Sequence, residues 1–248
     1  MFIIMFEEKE ESEWKQEMNV RYEEFPFLNE TKHVISLVGA GGKTTLMYAF
    51  AERYVKTGVR VIVTTTTHIA RPEEKLWAKN PGQVSKLWAQ GMYAVVGNAC
   101  EDGKLKGLSE EELNAYIQMA DVVLVEADGA KRMPCKVPAA HEPVIPDHCD
   151  IVVGVMGMDA YGKPIEEVCF RKNETLRLLN AAPMDWLNEA MMAKILSSVS
   201  GTRKSVGERA YYVVLNKCDT KERICVAEKI RELLRKQGIE NCIFTSFL

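Results

Sequence analysis

Gly39-Ala40-Gly41-Gly42-Lys43-Thr44-Thr45 is the stretch whose residue types best suit chemistry on an anion. Glycines let successive backbone N–H groups turn toward a phosphate and let its oxygens approach closely. The helix predicted to open at Lys43 adds partial positive charge at its N-terminus. Lys43 is spaced to reach the β- and γ-phosphates, and Thr44 to set a hydroxyl on Mg2+. The long spacing G-x-x-x-x-G-K-[ST] requires glycine at position 37, where Leu37 stands, so the loop is the shortened form G-x-x-G-K-T. Ligases of cell-wall synthesis share that spacing. A glycine-rich turn with a surface lysine is the competing reading, and the strand before and helix after the loop weigh against it.

Two further stretches join it. Val122-Val123-Leu124-Val125-Glu126-Ala127-Asp128-Gly129 reads as a buried strand ending in two carboxylates, which strand alternation puts on one side. Carboxylates at the C-terminal end of a strand beside a phosphate loop can hold Mg2+ directly or through water. Asn216-Lys217-Cys218-Asp219 places N-K-x-D at the end of another strand. An aspartate there accepts hydrogen bonds from the N1–H and exocyclic amine of guanine, a pattern adenine cannot supply. Asn216 supports the loop and the base edge, and Lys217 packs over the ring. The expected catalytic set is therefore Lys43, Glu126 and Asp128. Gly39 through Thr45 with Asn216, Lys217 and Asp219 form the nucleotide site, and Thr44 with Asp128 the metal pair.

Six residues remain as candidates for a second substrate or a partner. Thr66 and His68 follow a threonine-rich strand exit, Thr64–Thr67, with the character of a switch segment. Lys131 and Arg132 come just after the acidic strand and are placed to neutralise phosphate charge. His141 and Glu142 lie between Pro138 and Pro143, which hold them in place.

These residues need a scaffold that brings strand ends together, and the apolar pattern predicts one. Strands are expected at His33–Val38, Arg60–Thr64, Tyr93–Val96, Val122–Glu126, Ile151–Val155, Tyr211–Leu215 and Cys242–Phe244. Helices are expected at Lys43–Tyr54, Pro81–Gln90, Ser109 to about Met119, Trp186–Val199 and Glu222–Gln237, with Ser109 and Glu112 as a capping box. Nearly all-apolar strands alternating with helices predict an α/β fold of the P-loop NTPase kind, a mostly parallel sheet covered on both faces. Residues 1–30 read as an N-terminal extension packed on the core, with a short helix at Glu7–Arg21 and an apolar patch at Phe25–Leu28. Residues 31–248 read as one nucleotide-binding domain with a helical insertion near 156–205.

The 248 residues carry a net charge of -3, which gives no electrostatic reason to bind nucleic acid. Seven cysteines without a C-x-x-C suit reduced thiols in a cytoplasm rather than a disulfide framework. No apolar run approaches the roughly 20 residues of a membrane span. The apolar start Met1–Phe6 turns acidic at Glu7–Glu11, unlike a secretory signal with its basic start and longer apolar stretch.

The stretches VISLVGAGGKTTL, TTTTHI, VEADGAKRMPCKVPAAHEPVIP, DIVVGVMGMDAYGKP and VVLNKCD together resemble the selenium-dependent hydroxylase accessory protein family, also called YqeC-like. The likeness runs from about Val34 to Asp219, and its most specific parts are the glycine loop and the P-A-A-H-E-P segment. Cys135 departs from the aliphatic residue usual in that family. The resemblance implies a cytoplasmic factor that helps mature molybdenum hydroxylases, with an apo molybdenum hydroxylase or other maturation factors as partners. The expected activity is Mg2+-dependent binding and slow hydrolysis of GTP (ATP is the alternative nucleotide), and a homodimer is the assembly expected of such GTPases. Two other readings stand beside it. One is an ATP-dependent small-molecule kinase or ligase, favoured by the short loop and opposed by N-K-x-D. The other is a nucleotide-gated binding module without turnover.

Overall fold

The computed structural model describes residues 22–100 and 103–247; the helix expected at Glu7–Arg21 lies outside them. In chain order the strands are β1 (His33–Gly39), β2 (Val61–Thr65), β3 (His68–Ala70), β4 (Trp77–Ala78), β5 (Ala94–Val96), β6 (Asn98–Ala99) and β7 (Lys104–Lys106). They continue with β8 (Val122–Glu126), β9 (Cys135–Lys136), β10 (Ile151–Gly157), β11 (Cys169–Phe170), β12 (Ala210–Asn216) and β13 (Cys242–Thr245). The helices are α1 (Lys43–Val55), α2 (Pro81–Ala89), α3 (Glu110–Met119), α4 (Ile165–Val168), α5 (Lys172–Leu179), α6 (Glu189–Ser197) and α7 (Lys221–Arg235).

Eight strands form the central sheet in the order β13-β12-β10-β1-β8-β2-β5-β4. Every pairing in it is parallel. A parallel sheet covered on both faces requires strands without a polar side, and every residue of β2, β8 and β10 is buried. Alternation then sorts the strands between two faces. Ile35 and Leu37 of β1, Val61 and Val63 of β2, and Leu124 of β8 join one core with Leu46, Met47, Phe50 and Tyr54 of α1. Val34 and Val38, Ile62, Val123 and Val125 face the other way, onto Val84 and Leu87 of α2 and Leu113 and Tyr116 of α3. On that second side, beyond β10, Val213 and Leu215 of β12 pack on Ile195 and Leu196 of α6 and on Ile230 and Leu234 of α7.

Helix starts follow the side chains available to cap them. The Ser109–Glu112 capping box is present at α3. Asn188 accepts from Met191 N and starts α6 later than the apolar pattern suggests. Thr220 accepts from Arg223 N at α7. Between β10 and β12 lie α4, α5 and α6, but also β11, which pairs in parallel with β9 and so ties that segment to the loop after the acidic strand. A small antiparallel sheet, β3-β7-β6, was not legible in the apolar pattern. No helix among the described residues is long and apolar enough to cross a membrane.

The parallel arrangement has one direct consequence for function: the C-terminal ends of β1, β8 and β12 lie along one edge of the sheet. The crevice at that edge of an open α/β sheet is where ligands bind. The glycine loop, the acidic pair and N-K-x-D are therefore collected there by topology alone.

Residues 25–28, before β1, are part of the core. Phe25 is fully buried, with its ring edge-on to Phe27 at 5.7 Å and to Phe50 at 4.9 Å. Tyr54 Oη donates to the carbonyl of Phe27 at 2.6 Å. Truncating a buried phenylalanine costs about 3–5 kcal/mol. Phe25→Ala is expected to lower stability by that amount in urea denaturation; a loss under about 1 kcal/mol would mean this segment is dispensable to the core.

Candidate functional site

The glycine loop takes backbone angles that side chains resist. Gly39, Gly41 and Gly42 have φ of 92°, 85° and 123°. A Cβ on Gly41 would stand 2.1 Å from Gly157 N, and one on Gly42 2.1 Å from Asn216 Nδ2. The loop is closely braced: Ala40 N donates to Val155 O at 2.9 Å and Gly41 N to Met133 O at 3.1 Å. Gly39 N donates to Asp128 Oδ2 at 3.2 Å. Thr45 is on the exposed side of the first turn of α1.

Lys43 is buried where the loop meets α1. Its ammonium donates to Gly39 O at 2.6 Å and forms an ion pair with Asp128 Oδ1 at 3.0 Å. Thr44 Oγ1 donates to Glu126 Oε2 at 2.6 Å. The sequence pairs Thr44 with Asp128 as metal ligands, whereas the structure brings Thr44 to Glu126. Both Asp128 oxygens face lysines. Burial pushes the Glu126 carboxyl above its ordinary value, against the pull of Lys43 and the Thr44 hydroxyl.

The second of those lysines is Lys136, which sequence reasoning did not single out. Its side chain has no exposed surface. The ammonium meets Asp128 Oδ2 at 2.9 Å, Gly129 O at 2.6 Å and Glu142 Oε2 at 3.0 Å. Glu142 in turn pairs with Arg171 at 3.3 Å. Lys43, Asp128, Lys136, Glu142 and Arg171 thus form a row of alternating charge leading away from the phosphate loop. Burial works against ionisation of Glu142, but Lys136 and Arg171 outweigh it and hold the carboxyl below its ordinary value. The β9–β11 pairing, with Lys136 opposite Phe170, brings the middle of this row beside the residue that precedes Arg171. Beside it, Cys135 and Cys169 are buried in register, and their mutual hydrogen bond and burial push the Cys135 thiol well up, as befits an inert packing residue.

The N-K-x-D loop is joined to the glycine loop directly. Asn216 Nδ2 donates to Gly41 O at 2.8 Å, and its Oδ1 accepts from Thr245 Oγ1 at 2.9 Å. Lys217 has a left-handed backbone, φ 62°, and its ammonium is anchored on Asp159 at 2.6 Å. Asp219 is held from both sides, by Arg223 Nη1 at 3.1 Å and by Ser246 Oγ at 2.7 Å. A carboxylate has about four acceptor positions, so both oxygens keep capacity for a ligand. Ser246 was also missed; its signal is a hydroxyl just beyond the last strand, at the same sheet edge.

Five of the six remaining candidates come together. Thr66, His68, Lys131, His141 and Glu142 line a cavity of about 480 Å3, along with Phe170 and Arg171. Arg132 is exposed and is not among its lining residues. Thr66 Oγ1 donates to Val144 O at 2.7 Å, which ties the exit of β2 to the proline-rich loop.

Among the described residues no cluster of three or more His, Cys, Asp or Glu could hold a metal by itself. One hydroxyl beside one carboxylate, Thr44 with Glu126, is instead the sparse oxygen set that suits Mg2+, which keeps several waters and takes the rest from phosphate.

Removing the lysine from a buried ion pair leaves uncompensated charge and costs about 3–5 kcal/mol. Lys136→Met is expected to destabilise the protein by that amount in chemical denaturation, and adding Glu142→Gln to recover part of it. Unchanged stability in Lys136→Met would show that the two carboxylates do not depend on this ammonium.

A family model described as YqeC protein matches residues 35–173. The protein described as uncharacterized protein YqeC from Escherichia coli K12 is 29% identical over 216 residues, covering 84% of each chain. Among solved structures, hydrogenase maturation factor HypB from Archaeoglobus fulgidus matches 95% of this chain and 90% of its own, at 13% identity and a TM-score of 0.43. HypB from Helicobacter pylori, solved in complex with nickel, matches 94% and 86%, at 12% identity and a TM-score of 0.40.

Proposed function

The chain belongs to the YqeC protein family, and we propose that it binds a nucleoside triphosphate, GTP in preference to ATP, with Mg2+, and hydrolyses it slowly. One observation carries this reading: the Asn216 Nδ2 bond to Gly41 O, which fixes a base-reading loop against a phosphate-binding loop. A polar turn and a glycine turn that met by accident would have no need of this link. The resemblance read in the sequence, rather than the site, supports a role as an accessory factor in maturing selenium-dependent molybdenum hydroxylases.

Each group then has a task. Lys43 exchanges Gly39 O for phosphate oxygens, which are stronger partners because they are charged. Asp128 positions Lys43 and stays paired with Lys136. Thr44 and Glu126 would hold Mg2+, which would supply charge neutralisation on the phosphates. Asp219, steadied by Ser246 and Arg223, accepts from N1–H and the exocyclic amine of guanine. Asp159 holds the Lys217 head so that its stem can cover the ring. Among the described residues no glutamine meets the glycine loop, which fits slow turnover. The shortened loop favours the second reading, an ATP-dependent kinase or ligase, and base choice separates the two.

In Asp219→Asn an amide replaces one acceptor oxygen and faces two donors of guanine. An unpaired buried polar group costs about 1–3 kcal/mol, roughly 5- to 150-fold in affinity. GTP is expected to weaken by about tenfold or more and XTP to gain relative to it, measured by calorimetry. Preference of the wild type for ATP, or an unaltered preference in the variant, would rule out guanine reading. For the metal, Glu126→Gln is expected to remove the Mg2+ enhancement of triphosphate binding while leaving diphosphate binding in place. If Asp128→Asn does this and Glu126→Gln does not, the metal belongs on Asp128.

A further inference from the structure

We propose that the cavity beside the acidic strand is a second ligand site, for a small molecule that carries an oxoanion group, such as a phosphate, on a planar or apolar body. Lys106, Lys131 and Arg171 bring three fixed cations to its wall, and His68 and His141 add two imidazoles. Glu142 is the lone carboxylate among the lining residues, and its charge is already matched by Lys136 and Arg171. In a chain of net charge -3, Glu142 offsets Arg171, and Lys106 and Lys131 leave a local excess of positive charge on the cavity wall. Concave sites of one sign concentrate ligands of the other.

The apolar half of the ligand is called for by Phe170. The Arg171 guanidinium lies over its ring at 4.9 Å and the Lys131 ammonium at 5.7 Å. The cations lie over the face of the ring, and Phe170 with Leu108 and Val144 makes the wall apolar beside them. The Glu142 carboxylate steadies the Arg171 fork at 3.3 Å through both Nε and Nη2. Glu142 occupies the Nε–Nη2 edge, so the donors left on the Nη1 side are the ones that face an oxoanion. Lys131 and Arg171 also hold left-handed backbones, φ 46° and 65°. Non-glycine residues in that region cost energy and cluster at ligand-clamping sites. A volume of about 480 Å3 is the size of a small-molecule pocket rather than a protein groove.

The cavity is separate from the nucleotide site. None of the glycine-loop residues lines it, although Gly129, next to Asp128, does. The proposal therefore does not depend on which nucleotide the chain binds.

Phenyl phosphate is a suitable probe, with phenol as the uncharged control, titrated calorimetrically into the full chain. Phenyl phosphate is expected to bind and phenol not. Arg171→Ala is expected to weaken phenyl phosphate about tenfold or more, and Lys131→Ala, at an exposed position that cannot unfold the core, several-fold. Saturating Mg2+-GTP is expected to leave phenyl phosphate binding in place. Absence of binding to the wild type, equal binding of phenol, unchanged affinity in both cavity variants, or displacement of phenyl phosphate by Mg2+-GTP would each overturn the proposal.

Discussion

Lys136 carries its ammonium into the interior with no exposed side-chain surface, between two carboxylates that would otherwise be stranded. Charges so placed persist only when paired and hydrogen-bonded, and their geometry is then stiff, because any displacement uncovers an unpaired ion. Asp128 is fixed by this pairing, and through Asp128 so are Lys43 and the amide of Gly39. Glu142 is fixed as well, and with it the fork of Arg171. The phosphate loop on one side and the cavity on the other are set by the same buried cation. The two-residue pairing of β9 with β11 places that cation, and so contributes more to the site than its length suggests.

The sheet supplies the other constraint. Parallel strands share a direction, so motifs scattered from position 39 to 219 end on one edge without any further device. Side-chain brackets between the strand exits then bring them into register. Asn216 reaches Gly41, Thr44 reaches Glu126, and Thr65 Oγ1 reaches the carbonyl of Glu126 at 2.7 Å.

Much of this was legible in the sequence because it is written locally. The glycine loop sits between a strand and a helix whose apolar periods are unmistakable, and N-K-x-D follows an apolar run directly. The long central strands and the helices α1, α3 and α7 announce themselves by period and capping residues. What was not legible depends on distance along the chain. Arg171 meets Glu142 across 29 residues, and nothing near either residue predicts the partner. Lys136 looks like any loop lysine until Asp128 and Glu142 fold around it. Strands of two or three residues, such as β9, β11 and β6, are too short to show an alternation. Thr44 reaches Glu126, and the lysine on the second oxygen of Asp128 has no local signal in the sequence.

The account turns on Lys43 giving up its internal partners to a triphosphate. Calorimetric titration of Mg2+-GTP into the wild type and into Lys43→Ala, with thermal melts to confirm that the variant is folded, tests this directly. Binding in the wild type that weakens about a hundredfold or more in the variant, the loss of two charge-assisted contacts, is the result the account predicts. Equal affinity in the two proteins, or no binding in either, would contradict it.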